Sequence, residues 1–129
     1  MRIVSTLAVK TLLVVEDDQL NLKLVTMILV REGYRVIGAE TAETGLSLAH
    51  TETPALVIMD LKLPGMDGLE ATKRLKADPA VRNIPVLMLT AHAMQADKVR
   101  AYDAGCAEFV TKPIDLKAFV YAVRRLTGD

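Results

Sequence analysis

Apolar residues in this chain fall into two patterns that alternate along its length. Thr11-Leu12-Leu13-Val14-Val15, Ala55-Leu56-Val57-Ile58-Met59 and Ile84-Pro85-Val86-Leu87-Met88-Leu89-Thr90 are short, almost unbroken apolar runs. Such a run is short for a helix and right for a strand covered on both faces. Between the runs lie longer stretches with apolar residues at helical spacing. The pattern predicts strands over 11–15, 34–39, 55–59, 84–90 and 107–111, and helices over 19–32, 42–51, 69–77, 95–104 and 116–126. Asp18, Thr41 and Asp115 are placed to cap helix starts, where side-chain oxygens accept from free N–H groups. Gly33 and Gly105 are placed to close helices, and Asp78-Pro79 stops the third. Pro85 is tolerable near the start of a strand, where a missing donor matters least.

Strand and helix alternate five times, which implies a parallel sheet with helices on both faces. The runs over 11–15, 55–59 and 84–90 are the most apolar and predict central strands. Tyr34-Arg35-Val36-Ile37-Gly38-Ala39 is the most polar and predicts an edge. Met1–Lys10 reads as an N-terminal extension or the start of the first strand, leaving one domain over 11–127. In the first helix, spacing predicts a core face of Asn21, Leu24, Val25, Ile28 and Leu29. That leaves Leu20, Leu22, Met27 and Val30 for other faces, with Leu20, Lys23 and Met27 on one stripe at i, i+3, i+7.

Composition narrows the function classes. With 129 residues, 51% of them hydrophobic and 25% charged, the chain is ordinary globular material rather than a disordered one. A domain of this size buries roughly two-thirds of its unfolded surface. Lys+Arg and Asp+Glu number 16 each, so no bulk charge draws the chain to nucleic acid, and no direct nucleic-acid binding is expected. The single cysteine, Cys106, excludes an internal disulfide framework, fits a reducing cytoplasmic setting and reads as a small buried hydrophobe. No apolar run approaches the roughly 18 residues of a membrane span. Met1–Lys10 is too short and too broken for a secretory signal.

The candidate chemistry lies where strands end. The first strand runs into Glu16 and Asp17, the third into Asp60, the fourth into Thr90 and the fifth into Lys112. In a parallel sheet these ends share one rim, which is where such sheets place ligands. Three crowded carboxylates repel one another, and a hard divalent cation with oxygen ligands, most naturally Mg²⁺, relieves that repulsion. Lys112 adds a positive charge and Thr90 a hydroxyl. This set meets the needs of a transferred phosphoryl group: a carboxylate nucleophile, with cations to neutralise the oxygens. Taken singly, each residue has a plainer reading. Asp18 is a helix cap, Thr90 a strand-end turn residue and Lys112 a solvated lysine. Joint placement on the ends of four strands is what sets them apart. An aspartate-nucleophile phosphatase that uses Mg²⁺ would usually carry a second acid two residues after the nucleophile, where this chain has Lys62. A nucleotide-binding module would carry a Gly-x-Gly-x-x-Gly or phosphate loop, and neither is present.

The segments Leu-Val-Val-Glu-Asp-Asp at 13–18, Val-Ile-Met-Asp-Leu-Lys-Leu-Pro-Gly-Met-Asp-Gly at 57–68, Ile-Pro-Val-Leu-Met-Leu-Thr-Ala at 84–91 and Thr-Lys-Pro at 111–113 resemble the receiver domain of two-component response regulators. The resemblance runs from Thr11 to Leu126. It implies a flavodoxin-like (βα)₅ fold, a doubly wound five-stranded parallel sheet in order 2-1-3-4-5. One face would carry the first and fifth helices and the other face the remaining three. It implies Asp60 as phosphoacceptor, Asp17 as direct Mg²⁺ ligand and Glu16 reaching the ion through water. Lys62 would give its backbone carbonyl, with Mn²⁺ able to replace Mg²⁺. Thr90 and Phe109 would form the switch, and Lys112 would contact the phosphoryl group beside a cis bond to Pro113. Lys62 and His92, two residues past Asp60 and Thr90, would tune the acyl-phosphate lifetime.

The implied partners are a histidine kinase or histidine phosphotransfer protein, docking on Leu20, Lys23 and Met27. A downstream protein would bind the surface of the fourth helix, fifth strand and fifth helix, and the chain would be a monomer or weak dimer. Asn21 and Glu16 look more like the cell-cycle type of free-standing receiver than the chemotaxis type. Met1 and the Gly128-Asp129 ending suit a full-length chain, the other reading being a receiver fragment of a larger regulator or hybrid kinase.

Overall fold

The computed structural model describes residues 9–91 and 94–129. Strands β1 (Thr11–Val15), β2 (Arg35–Ala39), β3 (Leu56–Asp60), β4 (Val86–Thr90) and β5 (Glu108–Thr111) alternate with helices α1 (Gln19–Arg31), α2 (Ala42–Glu52), α3 (Gly68–Ala77), α4 (Gln95–Ala104) and α5 (Leu116–Thr127). All strand pairs are parallel, in the order β2-β1-β3-β4-β5. The order follows from burial. β3 and β4 are buried at every residue and β1 at all but its first, so these three apolar runs occupy the middle. The more polar β2 and the short β5 are edges, and both are partly exposed.

Alternate residues of each central strand enter two separate cores. Leu13, Val15, Val57, Met59, Val86 and Met88 face α2, α3 and α4, which answer with small residues such as Ala42, Ala49, Ala71 and Ala101. Leu12, Val14, Leu56, Ile58, Leu87 and Leu89 face α1 and α5, which answer with Val25, Leu29 and Phe119. A continuous apolar run is therefore two interleaved period-two patterns, each feeding one face. On the small-residue face the helices sit close to the sheet. A β-carbon on Gly45 of α2 would lie 2.7 Å from a Val15 methyl.

The predicted caps form. Asp18 accepts from the N–H groups of Leu20 and Asn21, Thr41 from that of Thr44 and Asp115 from that of Ala118. The expected core face of α1 needs correction. Val25 and Leu29 are buried, but Leu24 is 50% exposed. Leu22 turns inward instead and covers Gly38 of β2, where a β-carbon would meet its methyl groups at 3.1 and 3.2 Å. The side-chain-free Gly38 leaves a hollow at the sheet edge, and α1 rotates to fill it with Leu22. Residues 1–8 of the expected N-terminal extension, and His92, lie outside the described residues.

Candidate functional site: an acidic cleft at the ends of the strands

From β1 the chain winds to one side, to β2, and from β3 onward it winds to the other. The loops that follow β1 and β3 therefore diverge, which opens a crevice at their carboxyl ends. A cleft of about 240 Å³ occupies that place, lined among others by Glu16, Asp17, Asp60, Lys62, Thr90 and Lys112.

Short-range backbone bonds aim these residues. The Glu16 N–H donates to the Ala39 carbonyl at 2.9 Å, extending the β1–β2 ladder by one residue and leaving the Glu16 side chain buried. Its Oε2 accepts from the Asp18 N–H at 3.2 Å. Asp18 is committed as the α1 cap, so Asp17 is the exposed acid at the mouth. On the far side, the Lys112 N–H donates to the Thr90 carbonyl at 2.7 Å and extends the β4–β5 ladder. The next peptide bond, Lys112–Pro113, is cis. The Lys112 ammonium turns inward, 2.7 Å from Glu16 Oε1 and 3.7 Å from Asp60 Oδ2. Asp60 is the last residue of β3, and its Oδ1 accepts from the Lys62 N–H at 3.3 Å. Gly68 holds this turn from behind. Its N–H donates to the Leu61 carbonyl at 2.9 Å, and a β-carbon there would lie 2.1 Å from the Asp60 carbonyl oxygen. Only glycine lets α3 start this close to Asp60.

The electrostatics are lopsided. One oxygen each of Glu16, Asp17 and Asp60 lie within 4.8 Å of one another, and the Lys112 ammonium pairs with Glu16 and Asp60. Burial, the hydrogen bond with Glu16 and its negative charge push the Asp60 pKa up to about 7, although Lys112 and the Lys62 N–H pull the other way. Three converging carboxylate oxygens are hard donors, and a partly protonated acid among them marks a deficit of positive charge. That donor set fits Mg²⁺ or a similar hard divalent ion.

The structure thus brings together Glu16, Asp17, Asp60, Lys62, Thr90 and Lys112. Phe109 does not belong to that group. It is buried in the core shared with Ala101 and Cys106, on the α4 side of β5. Leu20, Lys23 and Met27 are exposed on the outer surface of α1. Two residues, one lining the cleft and one behind it, escaped sequence reasoning. Asn21, assigned to the core of α1, is half-buried and lines the cleft. Its signal was available: it follows the capping Asp18 by three, which keeps it in the first turn at the rim. Gly68 had no such signal, since a turn glycine and one that abuts a carbonyl look alike in sequence.

The fold and the cleft together define an α/β domain with a lysine-guarded carboxylate in an acidic cleft at its topological switch point. The chain matches the response regulator receiver domain over residues 12–124 and belongs to that family. It is 38% identical over 120 residues to the polar-differentiation response regulator DivK of Brucella ovis, covering 93% of this chain and 98% of that one. A solved structure from Chloroflexus aurantiacus J-10-fl superposes with a TM-score of 0.90 at 31% identity, covering 94% of this chain and 99% of that one. The receiver domain of a sensor histidine kinase from Pseudomonas aeruginosa PAO1 superposes with a TM-score of 0.87 at 29% identity, covering 95% and 100%. That structure has a magnesium ion coordinated in its active-site cleft. The chain is therefore a two-component signalling protein of the response-regulator class. Among the described residues no helix is long and apolar enough to cross a membrane.

Proposed function

We propose that this receiver takes a phosphoryl group onto Asp60 from a phosphohistidine on a histidine kinase or histidine phosphotransfer protein. The convergence of Glu16, Asp17 and Asp60 on one side and Lys112 on the other carries this reading. An Asp60 oxygen attacks phosphorus as the bond to the imidazole nitrogen breaks. The electron pair stays on that nitrogen, and an imidazole protonated at its other nitrogen leaves neutral. The Lys112 ammonium, already 3.7 Å from Asp60, pairs with the arriving phosphoryl oxygens. Asp17, Asp60 and the Lys62 carbonyl would hold Mg²⁺, or Mn²⁺ in its place, with Glu16 acting through water. The ion supplies charge neutralisation between acids and phosphoryl oxygens.

Modification adds charge and acceptor oxygens beside Thr90. The Thr90 hydroxyl moves toward them, and Phe109 fills the space it leaves. The surface of α4, β5 and α5 then changes its affinity for a downstream protein. Relatedness to DivK over 98% of its length supports a response regulator built on a receiver domain; in this reading it acts by protein contact, in the cytoplasm, as a monomer or weak dimer. The exposed Leu20, Lys23 and Met27 lie on α1, the helix that starts from the cleft at Asp18, and suit docking of the donor's helix.

The test is labelling with acetyl phosphate and Mg²⁺. One base-labile phosphoryl group per chain is expected, and none in Asp60→Asn. Label that persists in Asp60→Asn overturns the assignment. Met27→Lys should slow transfer from a donor kinase and spare acetyl phosphate; equal rates from the kinase would remove α1 from the docking surface.

A further inference from the structure

A second cleft, of about 180 Å³, runs between the β3–α3 loop and the start of α4. Lys62, Asp67, Asp97 and Arg100 are the charged residues lining it. Lys62 also lines the acidic cleft, so it is rooted on the ridge between the two. Among the described residues no carboxylate lies within ion-pairing distance of its ammonium. Asp97 is a buried acid that the phosphoryl chemistry does not use. Its carboxylate pairs with Arg100 three residues on, whose side chain is 62% exposed. A buried carboxylate holds a cation, and here two cations share one cleft with it.

We propose that Asp97 is a positioning residue for Lys62. It binds Arg100 or Lys62 in alternation, and so sets how often the Lys62 ammonium reaches a phosphorylated Asp60. This rests on the reading of Asp60 as phosphoacceptor. Loss of the phosphoryl group is hydrolysis. A water oxygen attacks phosphorus opposite Asp60, and the bond to the Asp60 oxygen breaks. The electron pair returns to the carboxylate, a water proton passes to solvent, and inorganic phosphate leaves. Lys62 sits two residues past Asp60. With its ammonium over the phosphoryl oxygens it occupies the path of that water. Drawn to Asp97, it leaves the path open. The structure shows Arg100 on Asp97, which is the arrangement that leaves Lys62 to the acidic cleft. A group that takes Arg100 away at the α4 surface therefore shortens the life of the acyl phosphate.

The experiment labels the full chain with acetyl phosphate and Mg²⁺, removes the donor by desalting, and follows the decay of base-labile phosphate. Arg100→Ala should speed decay about two- to five-fold, the range set by one exposed ion pair. The acceleration should vanish when Arg100→Ala is combined with Asp97→Asn, and again when combined with Lys62→Ala. Decay unchanged by Arg100→Ala overturns the proposal. So does an acceleration of equal size in either background, because a general loosening of α4 needs neither Asp97 nor Lys62. Absence of any label in the unmodified chain overturns the phosphoacceptor reading and this one with it. Label that forms on Asp60 and decays alike in all variants overturns this one alone.

Discussion

The two ends of the sheet solve the problem of charge in opposite ways. Where the strands begin, Lys10, Glu32, Arg124 and Asp129 each have a mate. Lys10 pairs with Asp129 at 2.8 Å and donates to the Thr127 carbonyl. The Tyr34 hydroxyl donates to Asp129 at 2.8 Å, and Arg124 pairs with Glu32 at 2.8 Å while lying 5.9 Å from the Tyr34 ring centre. Where the strands finish, three acids converge and Lys112 pairs with two of them, Glu16 and Asp60. The first end ties α5 to the start of β1 and to the α1–β2 turn. The second is left short of positive charge, a shortage that suits a cation or an arriving phosphoryl group. A site already neutralised would have no call on a metal ion or on the charge of a docking donor.

Removing a cation from each end sharpens that contrast most. Lys112→Ala takes away the ammonium that pairs with Glu16 and lies 3.7 Å from Asp60, and its loss should slow labelling by acetyl phosphate about a hundred-fold or more, the cost of one preorganised charge on a transferring group. Arg124→Ala removes a cation from the opposite end and should leave the labelling rate within about two-fold. Rate measurements on both variants check this. Similar rates for the two would show that Lys112 is a structural partner of Glu16 and no more.

Stability should respond in the reverse sense. In the absence of divalent ions, the Asp60 pKa stands at about 7 against an ordinary 3.8. Between those values the carboxyl is protonated in the folded chain and ionised in the unfolded one. The unfolded state thus binds fewer protons, and stability falls as pH rises through that window, the loss being complete above about 7. Asp60→Asn carries no such charge. At pH 8 without divalent ions it should be more stable than the unmodified chain by roughly 1–2 kcal/mol, allowing for solvent in the cleft. That corresponds to a few degrees in Tm. Mg²⁺ should narrow the gap by stabilising only the chain that keeps Asp60. Thermal melts at pH 4 and pH 8, with and without Mg²⁺, read this directly; an Asp60→Asn chain less stable than its parent at pH 8 would end the idea of a strained rim.

Much of this was legible in the sequence because the rules involved are local. A five-residue apolar run with an acid behind it predicts both a doubly covered strand and the depth at which Asp60 emerges. Asp18, Thr41 and Asp115 cap as expected because capping needs only neighbours in the chain. What failed was decided across the sheet. The rotation of α1 depends on the hollow over Gly38, a residue of another element, so Leu22 and Leu24 exchange their expected places. The cleft shared by Lys62 and Asp97 depends on how closely α4 packs to the β3–α3 loop. Neither distance is written into the spacing of either segment.

The smallest expected effect is at the well-matched end, and it guards the comparison against a trivial explanation. Burial holds the Tyr34 pKa above its ordinary value, so the hydroxyl remains a donor to Asp129 at neutral pH. Tyr34→Phe keeps the ring against Arg124 and deletes only that hydroxyl, leaving Asp129 its pairing with Lys10. The expected cost is about 1 kcal/mol, the worth of a hydrogen bond whose acceptor keeps another partner. Labelling by acetyl phosphate should be unchanged, since the network lies at the opposite end of the strands from Asp60. Melting and labelling measured on one preparation separate the two ends. A labelling rate that fell along with Tm would mean that any loss of stability disturbs the rim. Lys112→Ala would then say nothing particular about charge.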